Sequence, residues 1–303
     1  MLNINTNYAA SFASKAASSA QRGLDSAMEK LSSGSRINYA KDDAAGQAIA
    51  TRITAEVQGL KMASRNASDA QGLIDTAEGA LQESHNLLLR MRELAVQSAN
   101  GTMSGDDRSA IDAELGQLIE EVERVAQTTS WAGNSLINGI GSTNGDKTFT
   151  FQVGVNGTSA DQVDITIDDT RVVALGLVTD DAAAGNTNAD DNDYTATGAN
   201  ADVRINIADQ GAAQGAISTI DDAIGKVSDA RAELGAVSNR LSSTINNLDQ
   251  ISVNLGASKG RIQDADFAVE TSNLAKNQIL QQAATAMLAQ ANASKNSILT
   301  LVA

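Results

Sequence analysis

A chain of 303 residues is long enough for two or three domains. Only 3% of its residues are aromatic, so a large enzyme-like core is not expected, and without cysteine it can form no disulfide, thiolate nucleophile or cysteine zinc site. The net charge of −15 argues against nucleic acid as a partner, because phosphate binding needs a basic face.

Residues 1–20 do not read as a cleavable secretory signal. Leu2, Ile4, Tyr8 and Phe12 are spaced as on a helix face instead of forming one apolar block, and the first base is Lys15. No stretch approaches the ~20 apolar residues of a membrane span, so membrane insertion is not expected. A heptad ladder then runs through Ile53, Leu60, Ala67, Ile74, Leu81, Leu88 and Ala95, widened by Leu73, Ala80, Leu87 and Leu94. Such a stripe predicts a long helix with more than one partner. Asn100-Gly101 stops it, and Ser104 followed by Asp107 resembles a capping box. The next helix carries Ile111, Leu115, Leu118, Val122 and Val125 and should fold back as an antiparallel hairpin. Residues 130–144, rich in Gly, Asn and Ser, read as loop.

Helical periodicity is lost from about 147 to 208. Phe149, Phe151, Val153 and Val155 alternate, as do Val163, Ile165 and Ile167, which predicts two strands joined by a turn at Asn156-Gly157. Thr179 to Asp202 has almost nothing apolar and reads as a solvated excursion. From Asp161 to Asp209 there are eleven Asp against two Arg, nine of the fifteen net negative charges.

Helix returns with a ladder of sevens that does not miss: Ile220, Val227, Leu234, Leu241, Leu248, Leu255, Ile262. Strict sevens require a seam against partner helices, and no proline interrupts it. Gly260 is expected to mark a hinge. A last seam follows at Leu280, Ala284, Met287, Ala291, Ser294, Ile298 and Leu301, on a segment almost without charge. The expected fold is therefore mainly α: long antiparallel heptad helices from both termini, coiled-coil-like, with a small β-containing central insert.

Little in the chain suggests chemistry. His85 is the single histidine and lies inside a heptad helix, so a Ser–His site is disfavoured. No phosphate-binding loop is present, and the Asp190, Asp191, Asp193 cluster lacks the spacing of a calcium loop. No cofactor or metal is expected. Arg90, Arg92 and Glu93 form a charged patch that serves either intrahelical pairing or contact with another molecule.

Several blocks carry a resemblance. Residues 31–50, LSSGSRINYAKDDAAGQAIA, residues 90–102, RMRELAVQSANGT, the strand Phe151-Gln-Val-Gly154, and residues 258–292, SKGRIQDADFAVETSNLAKNQILQQAATAMLAQAN, are similar to the signatures of bacterial flagellin. The likeness covers roughly residues 1–155 and 210–303. Two departures stand out: Trp131-Ala-Gly-Asn-Ser-Leu136 replaces a Phe-Asn-Gly block, and Leu89 stands where relatives often have Gln.

The resemblance implies a non-enzymatic subunit that polymerises into the extracellular filament of the bacterial flagellum, exported without a cleavable signal. It implies an inner assembly domain from residues 1–43 and 260–303, a long-helix domain from 44–145 and 210–259, and a variable surface insert at 146–209. Leu24, Leu31, Leu280, Met287, Ile298 and Leu301 are the expected assembly seam, with the C-terminal group pairing with Ile4, Phe12, Leu24 and Leu31 only in the polymer. Expected partners are other copies, the flagellar cap and hook-associated junction proteins, an export chaperone at the C-terminal segment, and a host Toll-like flagellin receptor at Arg90, Leu94 and Glu114. Two other readings are a hook–filament junction protein, and a secreted coiled-coil binding protein whose acidic insert takes a ligand.

Overall fold

The structure, a computed structural model, describes residues 6–139, 146–179 and 203–302, with the side chains of 179, 203 and 295–302 left out. Among the described residues the elements follow the order α1 (Tyr8–Ser33), α2 (Ala44–Ser98), α3 (Gly105–Thr128), β1 (Ser130–Trp131), β2 (Asn134–Ser135), β3 (Lys147–Gln152), β4 (Gln162–Ile167), α4 (Val172–Leu175), β5 (Val178–Thr179), β6 (Val203–Arg204), α5 (Gln210–Gln263) and α6 (Phe267–Val302). The mainly helical expectation holds. The chain divides into two compact units, residues 1–58 with 251–303, and residues 59–250.

In the second unit α2 and α5 run antiparallel, as the pairs Arg92–Asp221, Glu78–Arg231, Gln71–Ser242 and Ser64–Asp249 show. Their ladders meet as predicted: Ala67, Ile74, Leu81, Leu88 and Ala95 from α2 and Ile220, Val227, Leu234 and Leu241 from α5 are buried in one core. Leu81, Leu88 and Met91 have no exposed surface, so truncating Leu88 to Ala would cost about 2–5 kcal/mol. α3 folds back on α2 and adds Leu115, Ile119 and Val122. The turn between them is fastened by the Arg108 guanidinium, which donates to the carbonyls of Ser98 (2.9 Å) and Asn100 (3.0 Å). The capping box is formed: the Ser104 hydroxyl accepts from Asp107 N, and the Asp107 carboxylate accepts from Ser104 N.

The stretch after α3 is more ordered than a loop. β1 and β2 pair as a tight hairpin with positive φ at both Ala132 (49°) and Gly133 (84°), the backbone that a two-residue type I′ turn requires. It delivers Leu136 and Ile137 into the core with no surface exposed. β3 and β4 pair antiparallel from Lys147↔Ile167 to Gln152↔Gln162, confirming both predicted strands. Val155 departs from that pattern: it lies beyond the end of β3 and packs toward Gly59 on α2. One helical turn, α4, sits where no helix is expected, because Glu123 supplies its cap: the carboxylate accepts from Val172 N at 3.0 Å. The acidic excursion lies outside the described residues, but its ends are joined by the pairs Val178↔Arg204 and Thr179↔Val203.

Gly260 is not a hinge. α5 continues through it to Gln263, and a Cβ at Gly260 would lie 2.8 Å from the Asp264 carboxylate. The chain breaks at residues 264–266, where Asp266 Oδ1 accepts from Ala268 N (2.9 Å) and starts α6.

Candidate functional site: the terminal helix pair and the Arg90 patch

In the first unit α1 and α6 pack antiparallel. Asn7 opens α1 by accepting from Ala10 N through its side-chain oxygen (3.0 Å), while its amide donates to the Ala291 carbonyl (3.2 Å). Farther along, Gln281 donates to Gln21, Gly23 faces Asn277, and Lys30 pairs with Glu270 at 3.6 Å. The residues buried on α1 are Ala13, Ala20 and Ala27, seven apart, with Ala284 buried on α6. Alanines let two backbones approach closely. At Gly23 even one methyl would sit 2.8 Å from the Asn277 amide.

The Leu31–Ala50 block explains itself locally. Gly34 ends α1 in the left-handed region (φ 70°), where a residue with a Cβ is disfavoured. The chain then clasps the α5–α6 junction: Arg36 N donates to the Gln263 carbonyl (2.7 Å), Ala265 N to the Gly34 carbonyl (2.9 Å), and the Arg36 guanidinium to the Ile262 carbonyl (2.6 Å). Asp42 accepts from the backbone N–H groups of Tyr39 and then Asn38, which holds its carboxyl below the usual range, and Asp43 accepts from Gly46 N at the start of α2.

Because alanines form the pair, the large apolar side chains are left outside. Phe12 is 72% exposed, Ile279 65%, Met287 52% and Leu280 47%. Leu280 and Met287 lie away from the α1–α6 contact, which is packed through alanine in the single chain. Leu24 and Leu31 are half-buried. Ile4 and the side chains of Ile298 and Leu301 lie outside the described residues. Phe12 and Met287 instead share a shallow apolar groove with Ala9, Ala13, Gln290 and Ala291. In a hydrophobic pattern large residues outweigh alanine, and the signal for this seam is the step of seven from Ala13 through Ala20 to Ala27.

The second unit carries the charged patch. The Arg90 guanidinium donates to Glu114 Oε1 from Nε (3.2 Å) and Nη2 (2.9 Å), and to Glu93 Oε2 from Nη1 (3.0 Å). Glu114, then Glu93, raises the Arg90 pKa. The side chains of Arg90 and Glu114 stay about half exposed, 50% and 46%, so the pair contributes little to stability. Leu94 is 1% exposed and faces the core. It offers a partner no surface, so of the three residues expected at a receptor contact only Arg90 and Glu114 present one here.

His85 lies along α2 with its Nδ1 buried and without a hydrogen-bond partner, beside the equally unpartnered Ser84 hydroxyl. Among the described residues no three His, Asp or Glu side chains gather as a metal site, and no helix is long and apolar enough to cross a membrane.

Long heptad helices and an alanine-packed pair of terminal helices give the build of a helical structural subunit. The family model for the bacterial flagellin N-terminal helical region matches residues 4–142, and that for the C-terminal helical region matches residues 217–302. The chain is 42% identical over 276 residues to a flagellin of Halalkalibacterium halodurans, covering 91% of this chain and 90% of that one. It is 41% identical over 309 residues to a flagellin of Bacillus subtilis, covering 99% and 100%. A solved structure of a flagellar hook-associated protein from Vibrio parahaemolyticus superposes with a TM-score of 0.56 at 16% identity, covering 74% of this chain and all of that one, a likeness of fold alone. The chain belongs to the bacterial flagellin family. It is a structural subunit of the flagellar filament and not an enzyme.

Proposed function

We infer that the filament is held together by burying, between copies, the large apolar side chains that α1 and α6 leave uncovered. The observation that carries this reading is the exposure of Phe12, Ile279, Leu280 and Met287 on helices whose mutual contact is made by alanine. Soluble monomers rarely leave large contiguous apolar patches open to water. Residues 1–43 and 260–303 then act as the assembly domain. The same uncovered α6 surface suits an export chaperone before assembly and the cap and hook-associated junction proteins at the filament ends, with the polymer outside the cell.

The double substitution Leu280→Glu with Met287→Glu tests it. Both side chains are half exposed, so circular dichroism of the monomer should be unchanged while seeded polymerisation is lost. Filament growth at the wild-type rate would overturn the reading.

Arg90 and Glu114 form the receptor-facing patch in this reading, supported by their exposure and by the RMRELAVQSANGT block around Arg90. Arginine is a frequent interface hot spot, so Arg90→Ala should weaken activation of the Toll-like flagellin receptor by ~30-fold. A monomeric wild type that fails to activate the receptor at saturation would remove this part of the proposal.

A further inference from the structure

The three described Asn-Gly pairs, at Asn100, Asn138 and Asn156, share one reactive dipeptide in three different settings. In such a pair the backbone nitrogen of the glycine can attack the asparagine side chain, because no Cβ obstructs its approach. From the contrast between these settings we propose that Asn156 is a site of spontaneous deamidation, converting to aspartate and isoaspartate in the folded chain.

The reaction needs only water. The Gly157 nitrogen bonds to Asn156 Cγ, the Cγ–Nδ2 bond breaks, and the Gly157 amide proton leaves with the departing group as ammonia. Water then opens the five-membered imide at either carbonyl, giving aspartate or isoaspartate. The asparagine side chain must be free to turn toward the next nitrogen, and that nitrogen must not be held elsewhere.

Asn156 meets both conditions. It and Gly157 are exposed in the connection between β3 and β4, and the space where a Gly157 Cβ would stand is empty to 4 Å. Among the described residues no hydrogen bond holds the Asn156 side chain or the Gly157 N–H; the contact that Asn156 makes is through its carbonyl, which accepts from Gln152 Nε2 at 2.7 Å. Asn100 is restrained. Its side-chain oxygen accepts from Thr102 N (3.3 Å), and its carbonyl accepts from Met103 N (3.3 Å) and the Arg108 guanidinium (3.0 Å). Asn138 is 6% exposed, follows a residue whose carbonyl holds Thr170 N at 3.1 Å, and precedes Gly139, which is fixed at φ 59° against the Asp169 carboxylate. Turning the buried Asn138 side chain requires local opening, and turning that of Asn100 breaks its bond from Thr102 N, whereas Asn156 turns in place. The aspartate product adds a negative charge to an acidic insert. The isoaspartate product lengthens the backbone beside the carbonyl that Gln152 holds.

The test is peptide mapping by mass spectrometry of the full chain aged at mildly alkaline pH, folded and in denaturant. Dividing each folded rate by its rate in the unfolded chain removes the influence of neighbouring residues. The ratio should stay near one at Asn156 and fall at least about tenfold at Asn138, with Asn100 between them. Gly157→Ala should slow the Asn156 reaction in both states. Equal ratios at the three sites, or a stronger protection of Asn156 than of Asn100, would overturn the proposal.

Discussion

The indole of Trp131 lies over Gly72: a Cβ at that glycine would stand 2.9 Å from the ring's Cη2. Glycine inside a helix costs about 1 kcal/mol relative to alanine, yet α2 keeps one where the hairpin after α3 lays its tryptophan on the helix. The same device recurs at Gly59, where a Cβ would meet Val155 Cγ1 at 2.7 Å. In both places the connecting segments lean on bare helix backbone.

Gly72→Ala should therefore displace the ring without unfolding the protein. Trp131 is 36% exposed and can tilt outward, and the better helix former offsets the lost contact, so stability should change by less than about 1 kcal/mol. Trp131 is the single tryptophan in the chain. Its emission should move to longer wavelength, and an unchanged spectrum would show that the ring does not rest on Gly72.

Ser104→Ala should lower stability by about 1 kcal/mol by removing the N-cap of α3. The Ser104 hydroxyl and N–H both donate to Asp107 and hold its carboxyl below the usual value. A depressed folded pKa means that this stabilisation is present above the ordinary carboxylate range and is lost as pH falls through the folded value. The difference between wild type and Ser104→Ala should therefore shrink in acid, which thermal melts across pH would show.

Deleting residues 180–202 and closing the gap with a short turn should leave filament formation intact. The flanks Val178–Thr179 and Val203–Arg204 are already paired antiparallel, and loop closure favours a shorter connection. Arg204 is anchored independently, donating to Asp112 Oδ2 at 2.6 Å. Loss of polymerisation in this variant, with the monomer still folded, would show that the acidic segment contributes to subunit packing.

Much of the architecture was legible in the sequence because heptad steps, capping residues and period-two alternation each follow from local geometry. Ile220 to Leu248 are buried as their ladder predicts. Ser104 caps α3, and the strands around Phe151 and Ile165 pair. A repeat identifies a face but not what lies across it. Leu255 and Ile262 continue the same ladder and are only half-buried. Leu280 and Met287 keep the expected spacing yet point outward, because Ala13, Ala20 and Ala27 had already formed the α1–α6 contact. Gly260 looked like a break, but a helix tolerates glycine at modest cost. The turn at Ala132 has no sequence signature, because alanine rarely adopts positive φ. Leu94 belonged to a ladder and to a motif at once, and the core claimed it.

Electron microscopy after seeding purified chains with filament fragments tests the central claim most directly, comparing the intact chain with one lacking residues 281–303. The account predicts long filaments from the intact chain and none from the truncated one, whose unit of residues 59–250 should still melt cooperatively. Normal filaments from the truncated chain would contradict it.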